Sequence, residues 1–337
     1  MITYPNCKIN LGLHVVGRRP DGYHDLETLF LPVHDMCDEL EITTIDTLLS
    51  QPQAVACSPD LGEQPECTLT VQGIALDGNP DDNLCMRAYR LLHDEFAIPA
   101  VHIRLKKNIP FGAGLGGGSS DAAFTLKMLN SMFSLGLSDA DLERRAARLG
   151  ADCAFFIRNQ PAYATGIGDV LEPIEFPILN SLFSIQIEIP EGEHVSTKEA
   201  YAGLKLDPTH SSVSLTADSS PNLGELPDST DRVSSSSPKL GEQPDSTDRV
   251  SSSSPKLGEV AARSADGGVC QPRRPDLRQA IKEPIEHWRH LIVNDFEASV
   301  FPAHPAIAAL KDDMYRRGAL YASMTGSGAA VFGIFRK

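Results

Sequence analysis

The chain has 337 residues, and its 30 basic and 45 acidic side chains give a formal net charge of −15. That balance leaves no room for a broad cationic surface and excludes nucleic acid as an expected partner. Any anion bound by this protein has to be held by local geometry.

In chain order, Lys8–Val16 and Asp38–Thr44 contain alternating or continuous apolar stretches of strand length. Between Tyr23 and Gly17, Asp21-Gly22 is a turn signal. At 101–106, Val101, Ile103 and Leu105 alternate with His102, Arg104 and Lys106, the period of a half-exposed strand. A helix is predicted over Ser119–Asn130, with Ala122, Ala123, Leu126 and Leu129 on one face and Ser119, Ser120 and Asp121 in capping positions. The segment LSDADLERRAARLG predicts a second helix, with Ser138 as N-cap and Gly150 as its stop. Strand-like segments follow at Ser181–Pro190 and Ala329–Phe335. Irregular alternation of helices and strands points to an α+β fold.

One region is foreign to this pattern. SPNLGELPDSTDRVSSS from Ser220 and SPKLGEQPDSTDRVSSS from Ser237 repeat with a 17-residue period, and a third unit opens at Ser254. Each unit has too few aliphatic side chains to offset its ordering entropy. It is also shorter than the roughly 20 residues of a solenoid unit. Residues 208–272 are therefore expected to be a disordered Ser/Pro-rich insertion, and SPDLGEQPE at Ser58–Glu66 is read as a related fragment in an earlier loop.

No window approaches the ~18 to 20 apolar residues that cross a bilayer, so no membrane partner is expected. The opening MITYPNCKINLGLHVVG has neither the basic start nor the apolar core of a signal peptide. Seven scattered cysteines without a CxxC pair argue against a disulfide framework or a thiolate zinc site, and the cytoplasm is the expected compartment. No oligomeric state follows from the sequence.

The most informative segment is PFGAGLGGGSSDAA, Pro110–Ala123, in which five of the nine residues from Gly112 to Ser120 are glycine. Glycine permits positive φ and a close approach of ligand to main chain. Successive amides then converge beside the positive end of a helix, which holds polyphosphate without bulk positive charge. Ser119 and Ser120 add hydroxyls for phosphate or a bound Mg2+, and Ser120 is the one candidate metal contact. A Walker A loop would need Lys after its last glycine, where Ser119 stands. Gly112, Gly114 and Gly117 meet the dinucleotide spacing, but the preceding strand alternates with charge and no acidic residue ends a second strand about 20 residues on. A purely structural glycine loop is the remaining alternative.

This loop resembles the second motif of the GHMP small-molecule kinases, P-x-x-x-G-L-G-S/G-S-S-A-x. Pro5-Asn6-Cys7-Lys8-Ile9-Asn10-Leu11, Arg18-Arg19-Pro20-Asp21-Gly22-Tyr23-His24, Gly150-Ala151-Asp152-Cys153-Ala154-Phe155-Phe156 and Asn294-Asp295-Phe296-Glu297 are similar to further family segments. Met324-Thr325-Gly326-Ser327-Gly328-Ala329-Ala330-Val331-Phe332 is similar to the third motif. The Asp-Gly-Tyr-His segment resembles the branch of the family that acts on 4-diphosphocytidyl-2-C-methyl-D-erythritol in the non-mevalonate route to isoprenoid precursors. The resemblance spans both ends of the chain and omits the insertion.

The resemblance implies a two-domain GHMP kinase fold, with a ribosomal-protein-S5-like N-terminal domain over 1–160 and a ferredoxin-like α/β sandwich over 161–337 that carries the insertion. It implies ATP with Mg2+ as cofactors and a cytidyl-linked methylerythritol as the small-molecule substrate, phosphorylated on its 2-hydroxyl. Asp152 would be the general base and Lys8 its charge partner. Pro110, Phe111, Gly112, Ala113, Gly114, Leu115, Gly116, Gly117, Gly118, Ser119 and Ser120 would hold the nucleotide, with Asn83 and Lys107 near the adenine or phosphates. Asn10, Tyr23, His24, Thr197, Gly326 and Ser327 would meet the substrate. Cys7 stands where the family has Ala, and Cys153-Ala154 replaces Val-Pro, leaving oxidisable thiols near the chemistry. Another GHMP kinase, acting on a mevalonate-type, homoserine or sugar substrate, and an inactive nucleotide-binding relative are the competing readings.

The repeat is expected to play no part in turnover. Deletion of residues 220–259 should leave kcat/KM within tenfold of the full chain; a larger fall would give the insertion a catalytic role.

Overall fold

The structure is a computed structural model that describes residues 1–45, 67–75, 79–176, 182–204 and 275–337. The insertion at 208–272 and the fragment at 58–66 lie outside the described residues.

Among the described residues the expected α+β architecture is present as three sheets. Strand β2 (Asn6–Arg18) pairs antiparallel with β3 (His24–Cys37), and β7 (Ala162–Thr165) and β8 (Val170–Pro173) extend that sheet in the order β2-β3-β7-β8. The Asp21-Gly22 turn joins β2 to β3, with Gly22 at φ 90°. β3 was hidden in the sequence by Pro32, a residue that usually interrupts a strand. Here it stands opposite Lys8 in the ladder.

A second sheet has the order β1-β4-β6-β5, from β1 (Ile2–Thr3), β4 (Glu39–Thr44), β5 (Cys67–Gly73) and β6 (Val101–Lys107). β6 alternates buried and open positions as its sequence predicts. Helix α1 (Leu84–Phe96) makes the crossover between the parallel strands β5 and β6, and it packs with α2 (Gly117–Met132). Ala122, Ala123, Leu126 and Leu129 of α2 are fully buried against Leu40, Ile42 and Ile103 of this sheet. Helix α3 (Asp139–Ala147) follows, closed by a reciprocal capping box between Ser138 and Asp141. The short helix α4 (Phe155–Arg158) follows in turn.

The third sheet, β10-β11-β9, comes from β9 (Phe183–Glu188), β10 (Tyr321–Met324) and β11 (Val331–Arg336). Its Tyr321, Phe332 and Ile334 share a core with Trp288 and with Ile9, Leu11, Leu29 and Leu31 of the first sheet. Helices α5 (Thr197–Ala202), α8 (Glu297–Ala303) and α9 (Pro305–Arg316) cover its other side through Ala200, Val300, Ile307 and Met314; α6 (Leu277–Ala280) and α7 (Trp288–Leu291) lie between. Side chains alternate along β2. Ile9 and Leu11 therefore enter the core with Trp288, while Lys8 and Asn10 share the opposite direction.

α2 starts at Gly117, two residues earlier than the serine caps implied, and its N-cap is Gly116 at φ 70° with no side-chain cap bond. Ser119, Ser120 and Asp121 lie inside the helix. A Ser or Asp cap would occupy amides that a glycine start leaves open.

Candidate active site

Two backbone bonds pin the glycine-rich loop between distant parts of the chain. Lys8 N–H donates to Leu115 O at 2.9 Å, and Ala330 N–H donates to Ala113 O at 3.2 Å. Ala113 and Leu115 are buried as anchors, and the intervening Gly112, Gly114 and Gly116 all have positive φ. Two of these glycines are also required by space. A β-carbon on Gly114 would run into the carbonyl oxygen of Thr325, and one on Gly116 would press at 3.1 Å on both the Lys8 side chain and the Phe156 ring. Pro110 opens the loop, and Phe111 stands 73% exposed at its tip.

Beyond the loop, the amides of Gly117, Gly118 and Ser119 form the first turn of a 16-residue helix and have no intrahelical acceptor. With no side-chain cap, this positive helix end fits a phosphate chain. Ser120 Oγ is buried and without a hydrogen-bond partner in the same turn. Among the described residues no group of three or more His, Cys, Asp or Glu side chains could hold a metal ion.

Under the loop sits the Lys8 ammonium, 3% exposed. Its Nζ lies 3.2 Å from Asp152 Oδ2, donates to Asn10 Oδ1 at 2.6 Å, and stands 4.8 Å over the Phe30 ring. Asn10 is in turn fixed by its Nδ2 donating to Thr28 Oγ1 at 3.0 Å and its N–H donating to Thr325 Oγ1 at 2.9 Å. Asp152 sits in the turn before α4, which Phe155 and Phe156 anchor in the core. Asn159, the αL cap of α4, exchanges side-chain hydrogen bonds with Asn6 at 2.6 and 3.3 Å. That exchange ties the Asp152 turn to the start of β2 and fixes the Lys8–Asp152 spacing. Asp152 keeps a partly open side chain, so its carboxylate can meet a ligand.

The two thiols that the sequence placed near this chemistry are both shielded. Burial pushes Cys7 up to about 12 and Cys153 up to about 11, which holds them as unreactive thiols.

The chain matches the GHMP kinases N terminal domain over residues 83–160 and the GHMP kinases C terminal domain over residues 257–337. It is 40% identical to the 4-diphosphocytidyl-2-C-methyl-D-erythritol kinase of Bacteroides thetaiotaomicron, across 99% of this chain and 92% of that protein. The kinase of the same name from Azobacteroides pseudotrichonymphae is 36% identical across 100% and 94%. This chain belongs to the GHMP kinase family, among these kinases. A crystal structure of 4-(cytidine 5'-diphospho)-2C-methyl-D-erythritol kinase superposes with a TM-score of 0.62 at 25% identity, covering 99% of this chain and 89% of that one. The Methanococcus jannaschii mevalonate kinase shares the fold, with a TM-score of 0.56 at 13% identity over 99% and 90% of the two chains.

As a GHMP kinase the chain is an ATP-dependent small-molecule kinase, and the remaining expected residues can be placed around its loop. Gly326 packs on Gly114, and its carbonyl accepts from Asn294 Nδ2 at 2.8 Å. Thr197 Oγ1 and Ser327 Oγ lie 3.3 Å apart. Tyr23 is 62% exposed, while His24 stacks on Tyr201 with ring centroids 4.5 Å apart. Burial, with Arg18 nearby, holds His24 below the ordinary imidazole value, so it is neutral and can both donate and accept. Tyr201 braces against Phe296, and His194 lies against Gly112. Sequence reasoning missed both. The signal that could have found Tyr201 is its spacing of four from Thr197 on a helix. Asn83 caps α1 by accepting from Cys85 N–H at 2.9 Å, with the adjacent Leu84 facing Gly118.

Lys107 takes a place that its sequence does not suggest. It is buried beneath α2, with its ammonium donating to Asp38 and, at 2.7 Å, to Asp121. Asp38 also accepts from the amides of Asn108 and Ile109 at 2.6 and 2.8 Å, at the root of the loop. The ammonium is thus committed to two carboxylates that brace β4, β6 and α2. Burial works against its charge, but Asp121 and Asp38 outweigh it and push Lys107 up. Asp121 has one oxygen without a partner, and burial pushes its carboxyl up to about 7 despite Lys107.

A folded-state value raised from 3.8 means that folding takes up a proton, so stability falls as pH rises from about 4 to about 7. Asp121→Asn, which mimics the protonated acid, should therefore gain on the wild type across that range in urea denaturation. The gap between the two should level off near pH 8. A gap independent of pH would refute the assignment.

Proposed function

We propose that this kinase transfers the γ-phosphoryl group of ATP to the 2-hydroxyl of 4-diphosphocytidyl-2-C-methyl-D-erythritol, in the cytoplasm, on the non-mevalonate route to isoprenoid precursors. The observation that carries the reading is the Lys8–Asp152 pair at 3.2 Å, docked directly beneath a glycine loop and an uncapped helix start. The names of the relatives and the Tyr23-His24 segment support the cytidyl substrate.

In this reading Asp152 accepts the proton of the attacking hydroxyl, which has to lie within hydrogen-bond reach of its open carboxylate oxygen. Lys8, oriented by Asn10, balances the charge that builds up between base and phosphoryl group. The amides of Gly112 to Ser119 hold the phosphates and exclude water from them. Ser120 Oγ would be the protein hydroxyl facing a Mg2+ ion, which when bound with ATP would neutralise phosphate charge. Asn83 and Lys107 support the nucleotide side, Lys107 through the frame under α2.

On the alcohol's side, Tyr23, His24 and Tyr201 would receive cytosine by stacking and edge hydrogen bonds. Thr197, Gly326 and Ser327 would border the reacting carbons. The division at residue 160 belongs to the same proposal. A cytoplasmic site is supported by the free cysteines among the described residues, and no described helix is long and apolar enough to cross a membrane.

A coupled assay of ATP consumption should show turnover with the cytidyl alcohol and not with mevalonate or homoserine. Asp152→Asn and Lys8→Ala should each lose at least about a hundredfold in kcat, the usual contribution of a general base and its partner. Near-normal turnover in Asp152→Asn would remove that residue from its role.

A further inference from the structure

Outside the reacting groups, a single short segment touches three parts of the site. Residues 193–201 place His194 against Gly112, Thr197 within 3.3 Å of Ser327, and Tyr201 on the His24 ring. The glycine loop, the third motif and the cytidine-side turn are therefore all registered against one another by this strap. Its helix, α5, has six residues, too short to hold itself together in water. At its far end Ser299 Oγ donates to Ala200 O at 2.8 Å.

At its near end it is held by His304. That residue caps both α8 and α9: its N–H donates to Val300 O at 2.8 Å, and its carbonyl accepts from Ile307 N–H at 3.1 Å. Pro305 follows directly, so the backbone that carries the imidazole is rigid. Both ring nitrogens face carboxylates. Nδ1 lies 2.6 Å from Glu193 Oε2, and Nε2 lies 3.2 Å from Glu199 Oε1.

We propose that His304 is a positioning residue for the kinase reaction, whose imidazolium bridges Glu193 and Glu199 and so locks the 193–201 strap over the phosphate loop and the alcohol site. The inference rests on the reading of the Thr197–Tyr201 side as the wall that receives the alcohol.

The chemistry requires the charged ring. A neutral imidazole has one N–H, so one of its two nitrogens would turn a lone pair toward a carboxylate. Only the imidazolium donates at both ends. Glu193, on the turn before the strap, and Glu199, on α5, are the charges that act on it; on α8 and α9, Glu297 and Lys311 are paired with each other at 2.6 Å. Hydrogen bonding to Glu193 holds His304 above the ordinary 6.5 against the opposing effect of burial, with Glu199 adding to the rise. The clamp is therefore fully formed below pH 6.5 and is lost as pH rises through that raised value.

His304→Gln should raise KM for the cytidyl alcohol about five- to tenfold at pH 6.5, the net worth of roughly one hydrogen bond, with kcat within about twofold. The ratio of variant to wild-type KM should fall toward one as pH rises through the raised value of the His304 ring. His304→Arg, charged at every pH and able to donate to both carboxylates, should keep the low KM throughout.

Hydrogen exchange of residues 193–202 in the full chain without ligands gives a readout that does not depend on the substrate. Exchange at pH 6.5 should be faster in His304→Gln and restored in His304→Arg. Unchanged exchange in His304→Gln, or a KM ratio that does not vary with pH, would overturn the clamp. A wild-type enzyme that ignores the cytidyl alcohol but shows the exchange pattern would overturn the substrate reading and leave the clamp standing.

Discussion

A buried ammonium is costly unless its charge is met, and that constraint organises this molecule. Lys8 lies on a strand whose neighbours are almost all apolar, with the Phe30 ring on one side and the glycine loop above. It is met by the Asp152 carboxylate and the Asn10 amide oxygen. Each of these is held from elsewhere. Asn10 is gripped by Thr28 and Thr325, while the Asp152 turn is held by the buried Phe155-Phe156 pair and the Asn6–Asn159 exchange. Charge balance at one atom thereby sets the meeting point of β2, the turn before α4, and the segment after β10.

The glycine loop is fitted into this meeting point by exclusion of side chains. At Gly114 the backbone of Thr325 leaves no room for a β-carbon, and at Gly116 Lys8 and Phe156 leave little. In the proposed reaction, this close approach of main chain to main chain lets the loop amides meet phosphates without any basic cluster. This is how a chain with a net charge of −15 can bind a highly charged nucleotide. The same packing explains why motifs near residues 8, 114, 152 and 326 are parts of one site although they span most of the sequence. The Asp38–Lys107–Asp121 cluster supports the loop from beneath, where ion pairing joins the root of the loop to α2.

Local chemistry was legible in the sequence wherever it was carried by periodicity or by glycine. The alternation in β6, the apolar face of α2, the Ser138 cap and the turn at Asp21-Gly22 all appear as read. What escaped depends on contacts between distant residues. Pro32 concealed β3, because its tolerance as a strand residue is set by the fold around it. Serine is a frequent cap and so suggests a start for α2 two residues late, whereas Gly116 begins the helix with no side-chain cap. The pairing of Lys107 with Asp38, 69 residues earlier, follows no spacing rule. Tyr201 and His194 became visible only once the 193–201 segment was seen lying across the loop.

In the proposed reaction, bare amides around residues 112–119 hold the triphosphate and present it to an alcohol at Asp152. A crystal structure with a nonhydrolysable ATP analogue and the cytidyl alcohol tests it most directly. The phosphates should lie against those amides, with the 2-hydroxyl oxygen about 3 Å from an Asp152 carboxylate oxygen and in line with the γ-phosphorus. An analogue seated away from the loop, or an alcohol whose hydroxyl faces away from Asp152, would contradict the account.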